Sequence, residues 1–69
     1  MNIEWIDGFE IRVYIDGNTA VLSANREGLI SIAQQLLALA EEAPGSHIHY
    51  DEDNSLEEGS SEMIIEKAK

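Results

Sequence analysis

Apolar residues recur every three or four positions over residues 25–43, and this spacing predicts one helix. The apolar stripe consists of Leu29, Ile32, Ala33, Leu36, Ala40 and Ala43, and it is widened by Ile30 and Leu37 on one side and by Leu39 on the other. The mostly polar back consists of Ser31, Gln34, Gln35, Ala38, Glu41 and Glu42. Asn25 is a residue type that caps helix N-termini, and Pro44 ends the helix because proline disfavours helical geometry in the preceding residue. We expect the stripe to pack on a sheet.

Near the start of the chain, apolar residues occupy alternate positions instead. They are Ile3, Trp5, Phe9, Ile11, Val13 and Ile15. Alternation of this kind predicts β-strand. The Asp7-Gly8 pair interrupts it, as either a bulge in one long strand or a turn that makes residues 3–6 a separate strand. Trp5 falls with the core residues, so we expect it in the core or at its edge.

The sequence DGN at residues 16–18 is typical of a tight hairpin turn. Residues 19–24 are predicted to return as the next strand. A two-residue turn places Ala20 and Leu22 on the same face as Val13, whereas a slip of one residue would reverse every side chain of the returning strand.

After the helix, alternation returns over residues 46–52, and residues 61–67 predict the last strand. The polar, acidic residues 53–60 link the two. The chain is therefore predicted to be a single α+β domain, residues 1–69, in which the elements follow the order ββαββ. One helix covers one face of a four-stranded, mostly antiparallel sheet in this arrangement.

The face of the sheet that the helix leaves open is expected to carry a mixture of aromatic, apolar and histidine side chains. Its members are Arg12, Tyr14, Val21, His47, His49 and Ile64. A mixture of this kind is unusual on a face that only meets solvent. It indicates either a binding surface or a homodimer interface.

Acidic residues outnumber basic ones by 14 to 4, and the net charge is −10. No lysine or arginine occurs between Glu27 and Glu66. A field of this sign repels nucleic acid and anionic membranes, and it speeds encounter with a basic partner. The alternative is an acidic surface that serves solubility alone.

Composition also argues against several classes of protein. The chain has no cysteine, which excludes disulfides, thiolate metal sites and a cysteine nucleophile. The first residues lack a basic region followed by an apolar run, and no apolar stretch is long enough to span a bilayer, so we expect a cytoplasmic protein. No phosphate-binding glycine loop or nucleophile–base pair is evident, so we expect neither an enzyme nor a cofactor.

Two weak metal signals lie near the end of the chain. His47, His49 and Asp51 share one face of a predicted strand, where neighbouring imidazoles approach closely enough to ligate one ion. Residues 51–62 resemble a calcium loop in their oxygen ligands, but Leu56 stands where that loop requires glycine. We predict no metal site, and we keep a small homo-oligomeric ligand- or metal-binding module as the alternative function.

Four segments, taken in their order along the chain, resemble the short bacterial immunity proteins numbered 32 among polymorphic-toxin systems. They are SAN at 23–25, EGL at 27–29 with the alanine- and leucine-rich helix, GSHIHYD at 45–51 and LEEGSSEMIIE at 56–66. The resemblance extends over nearly the whole chain from Gly8, and Tyr50 departs from it where an aliphatic residue is usual. It implies binding and neutralisation of a cognate toxin in the cytoplasm of the producing cell.

An acidic immunity protein would suit a basic toxin such as a nuclease, because its carboxylates can occupy the surface that binds phosphate. The carboxylates are expected to steer association, and the histidines and the tyrosine to lie in or near the contact. The expected partner-binding residues are Glu41, Glu42, His47, His49, Tyr50, Asp51, Glu52, Asp53, Glu57 and Glu58.

Overall fold

Two β-hairpins and a single helix make up the computed structural model, which describes residues 1–69. The predicted ββαββ order and the α+β class are confirmed. The strand over residues 19–24 has the predicted bounds. The helix and the last two strands are shorter than predicted, because their ends continue into turns and loops. The elements are β1 (Ile11–Asp16), β2 (Thr19–Ala24), α1 (Arg26–Ala40), β3 (His47–Tyr50) and β4 (Met63–Glu66).

The first hairpin has the register that its turn sequence predicts. β1 and β2 are antiparallel, and Asp16 pairs with Thr19 across a two-residue turn. Gly17 in this turn has a φ of 61°, a left-handed conformation that glycine adopts at no steric cost. Val13 lies opposite Leu22, and both pack in or against the core as expected. Ile15 and its partner Ala20, near the turn, are exposed although they share that face.

The strands form two separate two-stranded sheets, β1-β2 and β3-β4, where a single four-stranded sheet was predicted. The reason lies in the acidic loop, residues 51–62, which occupies the free edge of β1. The Glu57 N–H donates to the Ile11 carbonyl and the Ser61 N–H donates to the Val13 carbonyl, each at 2.8 Å. β4 begins only at Met63, after these bonds, and forms no ladder with β1.

The first ten residues form no strand, which corrects the expectation from their alternating pattern. Asp7 and Gly8 lie in a turn that the Phe9 N–H closes by donating to the Ile6 carbonyl at 3.1 Å. Residues 3–6 run beside α1 and do not pair with β1. Backbone groups of this segment bond to helix side chains, so the two-residue period produces no sheet here.

Asn25 caps the start of α1, as predicted. Its Oδ1 accepts hydrogen bonds from the Gly28 N–H at 2.8 Å and from the Glu10 N–H at 3.0 Å. The cap therefore also ties the helix to the segment that precedes β1. The helix ends at Ala40, short of the predicted residue 43, because the next N–H groups donate three residues back and tighten the final turn.

The helix turns a different face to the core from the one predicted. Of the predicted stripe only Ile32 and Leu39, at its edge, are buried, and Leu29 at its centre is 53% exposed. Ser31 and Gln35, which the pattern assigned to the polar back, lie in the interior. The buried residues of α1 are Gly28, Ser31, Ile32, Gln35 and Leu39.

Polar partners make this burial favourable. The Ser31 hydroxyl accepts from the Ile6 N–H at 2.8 Å, and the Gln35 Nε2 donates to the Glu4 carbonyl at 2.8 Å. The Gln35 Oε1 accepts from the Tyr50 hydroxyl, also at 2.8 Å. Every buried side-chain nitrogen and oxygen has a hydrogen-bond partner. These hydrogen bonds offset the free-energy cost of removing the amide and hydroxyl groups from water.

Gly28 fixes the distance between α1 and β1. A Cβ at this position would lie 2.7 Å from the Glu10 carbonyl oxygen and 2.8 Å from the Ile11 Cγ1. We expect Gly28→Ala to lower the free energy of unfolding by about 1–3 kcal/mol, because backbone has to move to relieve the overlap. Urea denaturation measures this. Gln34→Ala, on the exposed side of the same helix, is the control, and equal stability of the two variants would contradict the close approach.

The core lies between the hairpins, α1 and the N-terminal segment. Its buried apolar residues are Ile11, Val13, Ile32, Leu39, Ile48, Tyr50 and Leu56. Trp5 packs against this core, stacks on Phe9 with ring centroids 4.4 Å apart, and meets the edge of the Tyr50 ring at 6.1 Å. The expectation that Trp5 lies at the core edge is confirmed.

Candidate partner-binding surface

The acidic loop starts with a rigid turn. The Asp51 carboxylate accepts from the Asp53 N–H at 2.9 Å and from the Asn54 N–H at 3.1 Å. The Asn54 side chain in turn donates to the His49 carbonyl and accepts from the Asp51 N–H. Asp51 and Asn54 therefore fix the loop to the end of β3, as short polar side chains do in turns.

The second half of the loop is held at three further points, besides its two backbone hydrogen bonds to β1. The Glu52 carboxylate accepts from the Gly59 N–H at 2.9 Å, and the Arg12 Nη1 donates to the Glu58 carbonyl at 3.1 Å. Leu56 is 5% exposed and inserts into the core. Arg12 thus bonds to the backbone of the loop, and the Glu58 carboxylate itself remains free of an ion pair.

The carboxylates of Asp53, Glu57 and Glu58 are exposed and make no hydrogen bond or ion pair. The molecule contains two ion pairs, Met1 to Glu42 and Arg26 to Glu27, and neither involves the acidic loop. These three carboxylates outnumber Arg12, the one cation that contacts the loop, and they stand on a backbone fixed by hydrogen bonds. The loop therefore keeps a negative field toward solvent.

His47 and His49 project to solvent from β3, as the strand alternation predicted. Their ring centroids are 5.0 Å apart, and the His47 Nδ1 lies 3.1 Å from the Gly45 carbonyl oxygen. They line a groove of about 330 Å³ together with four apolar side chains and an amide. The other lining residues are Met1, Ile3, Trp5, Ile48 and Asn54.

The groove connects the two acidic regions. Asn54, on its wall, belongs to the acidic loop, and Met1, also on its wall, places its amino group 3.9 Å from the Glu42 carboxylate. Glu41 is exposed beside Glu42 at the end of the helix. These contacts define one band, which runs from the end of α1 across the histidines to the Asn54 end of the acidic loop. Glu57, farther along the loop, instead lines a second cleft with Ile11 and Asn25.

Tyr50 lies on the other side of β3 and is 1% exposed. Its hydroxyl donates to the Gln35 Oε1 in the core, so Tyr50 holds β3 against the helix and does not reach the surface. Burial raises the pKa of the Tyr50 phenol above its ordinary value. Because the Tyr50 pKa is higher in the folded protein than in the unfolded chain, the folded state is favoured while the phenol keeps its proton. This contribution to stability is complete at pH values below the pKa of Tyr50 in the unfolded chain. It is lost as the pH rises through the pKa of Tyr50 in the folded protein.

Tyr50→Phe should lower the free energy of unfolding by about 1–3 kcal/mol, because it leaves the buried Gln35 Oε1 without a donor. The alkaline loss of stability that belongs to Tyr50 should disappear in the same variant. Thermal unfolding across a pH series measures both effects. Tyr14→Phe, at an exposed tyrosine, is the matched control, and an equally small effect of both changes would contradict the buried hydrogen bond.

The sequence did not indicate Met1, Ile3 or Asn54 as part of a site. Asn54 could have been identified from the sequence, because an asparagine three residues after an aspartate is typical of a turn that side chains stabilise. The N-terminal residues Met1 and Ile3 had no such signal, because their pattern indicated a strand.

The structure contains no group of three or more histidine, aspartate or glutamate side chains that could hold a metal ion. Its single helix does not have the length and apolar character that a membrane span requires.

The outward sides of the hairpins carry the predicted mixture of residues. Arg12, Tyr14, His49 and Ile64 are exposed, and Val21 is half-buried. Tyr14 pairs with Val21 in the first hairpin, and His49 pairs with Ile64 in the second. The mixture is therefore divided between two small sheets and does not form one continuous face.

No curated protein and no solved structure matches the chain. A family model described as Immunity protein 32 does match, over residues 19–68. This range begins at β2 and contains α1, β3, the acidic loop and β4, so it includes both histidines and every carboxylate of the band described above. On a match of this extent, the chain belongs to the Immunity protein 32 family.

Proposed function

We propose that the protein is an immunity protein that binds a cognate, basic toxin and neutralises it by occupying the toxin's charged surface. One observation carries the proposal: the acidic loop presents exposed carboxylates on a backbone fixed by hydrogen bonds and by Leu56. Family membership suggests an immunity protein independently of this geometry.

Electrostatic complementarity explains how such a surface would find its partner. Carboxylates without paired cations attract a basic protein over a distance of about one Debye length and accelerate encounter. Because hydrogen bonds fix the backbone that carries these carboxylates, the loop also loses little backbone freedom on binding, which favours affinity. A nuclease is a fitting toxin, because the surface that holds its phosphate backbone is basic.

The groove beside the histidines supplies what a purely charged surface lacks. A binding surface usually combines an apolar pocket near its centre with a polar rim. Here Met1, Ile3 and Trp5 line the groove, and carboxylates lie at both ends of the band. An aromatic or long aliphatic side chain of the toxin would fit the groove, with His47 and His49 beside it, while Tyr50 keeps β3 in place.

In this proposal the protein acts in the cytoplasm of the producing cell, and it acts only by binding the toxin. It catalyses no reaction, needs no cofactor and binds neither nucleic acid nor a membrane.

The test uses the purified chain as bait in a lysate of the producing organism at low salt, with elution by high salt. The captured protein is then expressed in a sensitive host, with and without this chain. Restored growth in the presence of the chain is expected, and a captured protein whose toxicity persists would overturn the proposal.

A further inference from the structure

One side of α1 is apolar and uncovered. Leu37 on this side is 72% exposed, the highest value of any large apolar residue in the protein. No charged residue occurs in the helix after Glu27. We name this surface the leucine flank, and it consists of Leu29, Ala33, Leu36, Leu37 and Ala40, all exposed.

No part of the chain covers the leucine flank. The N-terminal segment runs along the other side of α1, where its backbone bonds to Ser31 and Gln35. At about 100° per residue, the centre of the flank lies roughly a quarter to a third of a turn from the buried line through Gly28 and Leu39, on the side away from that segment. An apolar stripe of this length on a small, highly charged protein is typical of an interface.

The leucine flank is complementary to itself when a second copy of the helix runs in the opposite direction. A two-fold axis through Ala33 places Leu29 of each copy against Leu37 of the other, since both are four residues from Ala33. Ala33 then faces its own equivalent, and its small side chain allows two helices to approach closely. Self-complementarity of this kind is what an isologous dimer requires.

Charges at the ends of the helix fit the same arrangement. Arg26, at the start of α1, is exposed, and its nearest carboxylate is Glu27 at 3.8 Å. The last turn contains no basic residue, and Glu41 follows it directly. Antiparallel pairing brings Arg26 of one copy to Glu41 of the other, where a cation also favours the helix dipole. Lys67 of the same chain reaches only the Ala40 carbonyl, at 2.6 Å.

We propose that the leucine flank is a homodimer interface, in which two α1 helices pack antiparallel about Ala33. A second copy fits this surface better than a basic toxin, because the flank presents no carboxylate between its two ends. The proposal does not depend on the toxin. It leaves the acidic loop and the groove outside the interface, and the two surfaces share Glu41 at the end of α1.

The dimer should strengthen with salt. Each copy carries a net charge of −10, so the copies repel one another at low ionic strength, and screening removes that repulsion. Apolar contact is strengthened by salts such as sulfate. Binding of a basic toxin depends on salt in the opposite sense, which keeps the two associations distinguishable.

Analytical ultracentrifugation of the full chain over a range of concentrations, at low and high salt, tests the proposal. A concentration-dependent dimer that strengthens with salt is expected. Leu37→Glu should weaken it by about tenfold or more, because the interface would bury a carboxylate. Ile64→Glu, an equally drastic change at the 56% exposed Ile64 of the second hairpin, should leave it unchanged.

Reversal of the end charges gives a second, independent readout. Arg26→Glu and Glu41→Arg should each weaken the dimer, and the double variant should restore it. Both changes favour the helix dipole, so unfolding of α1 would not explain a loss, and circular dichroism confirms this. A monomer at every concentration and salt would overturn the proposal, as would a dimer that Ile64→Glu disrupts and Leu37→Glu does not.

Discussion

Replacement of Asp53, Glu57 and Glu58 by lysine should slow association with the toxin by about tenfold or more at low salt. These three side chains are exposed and make no hydrogen bond, so their reversal changes the field and leaves the fold of the loop intact. The dependence of the association rate on ionic strength should become flatter at the same time. Dissociation should change less, because steering acts on the encounter.

The other carboxylates of the loop are unsuitable for this experiment. Asp51 accepts two backbone hydrogen bonds, and Glu52 accepts one from Gly59, so reversal of either would also unfold the turn it supports. A slower association would then have two explanations. Restricting the change to the free side chains separates charge from structure.

A matched triple variant provides the control. Lysines at Glu4, Asp7 and Asp16 give the same net charge, and all three positions are exposed and lie outside both the acidic loop and the residues that line the groove. Stopped-flow or surface plasmon resonance measurements of both variants, over a salt series, then separate a local field from net charge. Equal slowing by both variants would remove the special role of the acidic loop, and unchanged rates in both would remove steering altogether.

Local chemistry made several elements predictable from the sequence. The hairpin register follows from a turn in which Gly17 accepts a left-handed conformation, and the position of Asn25 fixes the start of the helix. Both features depend on neighbouring residues alone. The alternation of β3 likewise placed the histidines outside, whereas Tyr50, which was expected in or near the contact, lies in the core.

The buried face of the helix was not predictable in this way. Hydrophobicity selected the side with Leu29 and Leu36, whereas the core takes the side with Ser31 and Gln35. Partners from distant parts of the chain, Glu4 and others, satisfy those polar groups. A sequence pattern cannot reveal partners that only the fold brings together, so the more apolar side was assigned to the wrong role.

The prediction of a strand in the N-terminal segment was wrong for a related reason. Its alternation predicted a strand, but a strand also needs a neighbouring edge, and the acidic loop already occupies the free edge of β1 through Glu57 and Ser61. The segment instead fills the space beside the helix and lines the groove with Met1 and Ile3. The apolar part of the proposed site was therefore visible only in the structure, whereas its acidic residues had been proposed from the sequence alone.

Leu56→Ala should have the largest effect on stability, a loss of about 2–5 kcal/mol. Leu56 is the one apolar residue of the acidic loop, and the core buries it almost completely. A chain of this size has a free energy of unfolding near the lower end of the usual range, about 5 kcal/mol, so the variant should be partly unfolded at room temperature. Denaturation followed by tryptophan fluorescence reports this directly, because Trp5 packs against the same core.

The matched control is Leu37→Ala, measured at a concentration low enough to exclude self-association. It removes the same atoms from an exposed site and should change stability by less than about 0.5 kcal/mol. Leu56→Met, which keeps most of the volume, should recover most of the loss. A cost below about 1 kcal/mol for Leu56→Ala would show that the loop does not depend on this anchor. With the anchor removed, we expect toxin binding to weaken even in the folded fraction, since the carboxylates would no longer share one fixed arrangement.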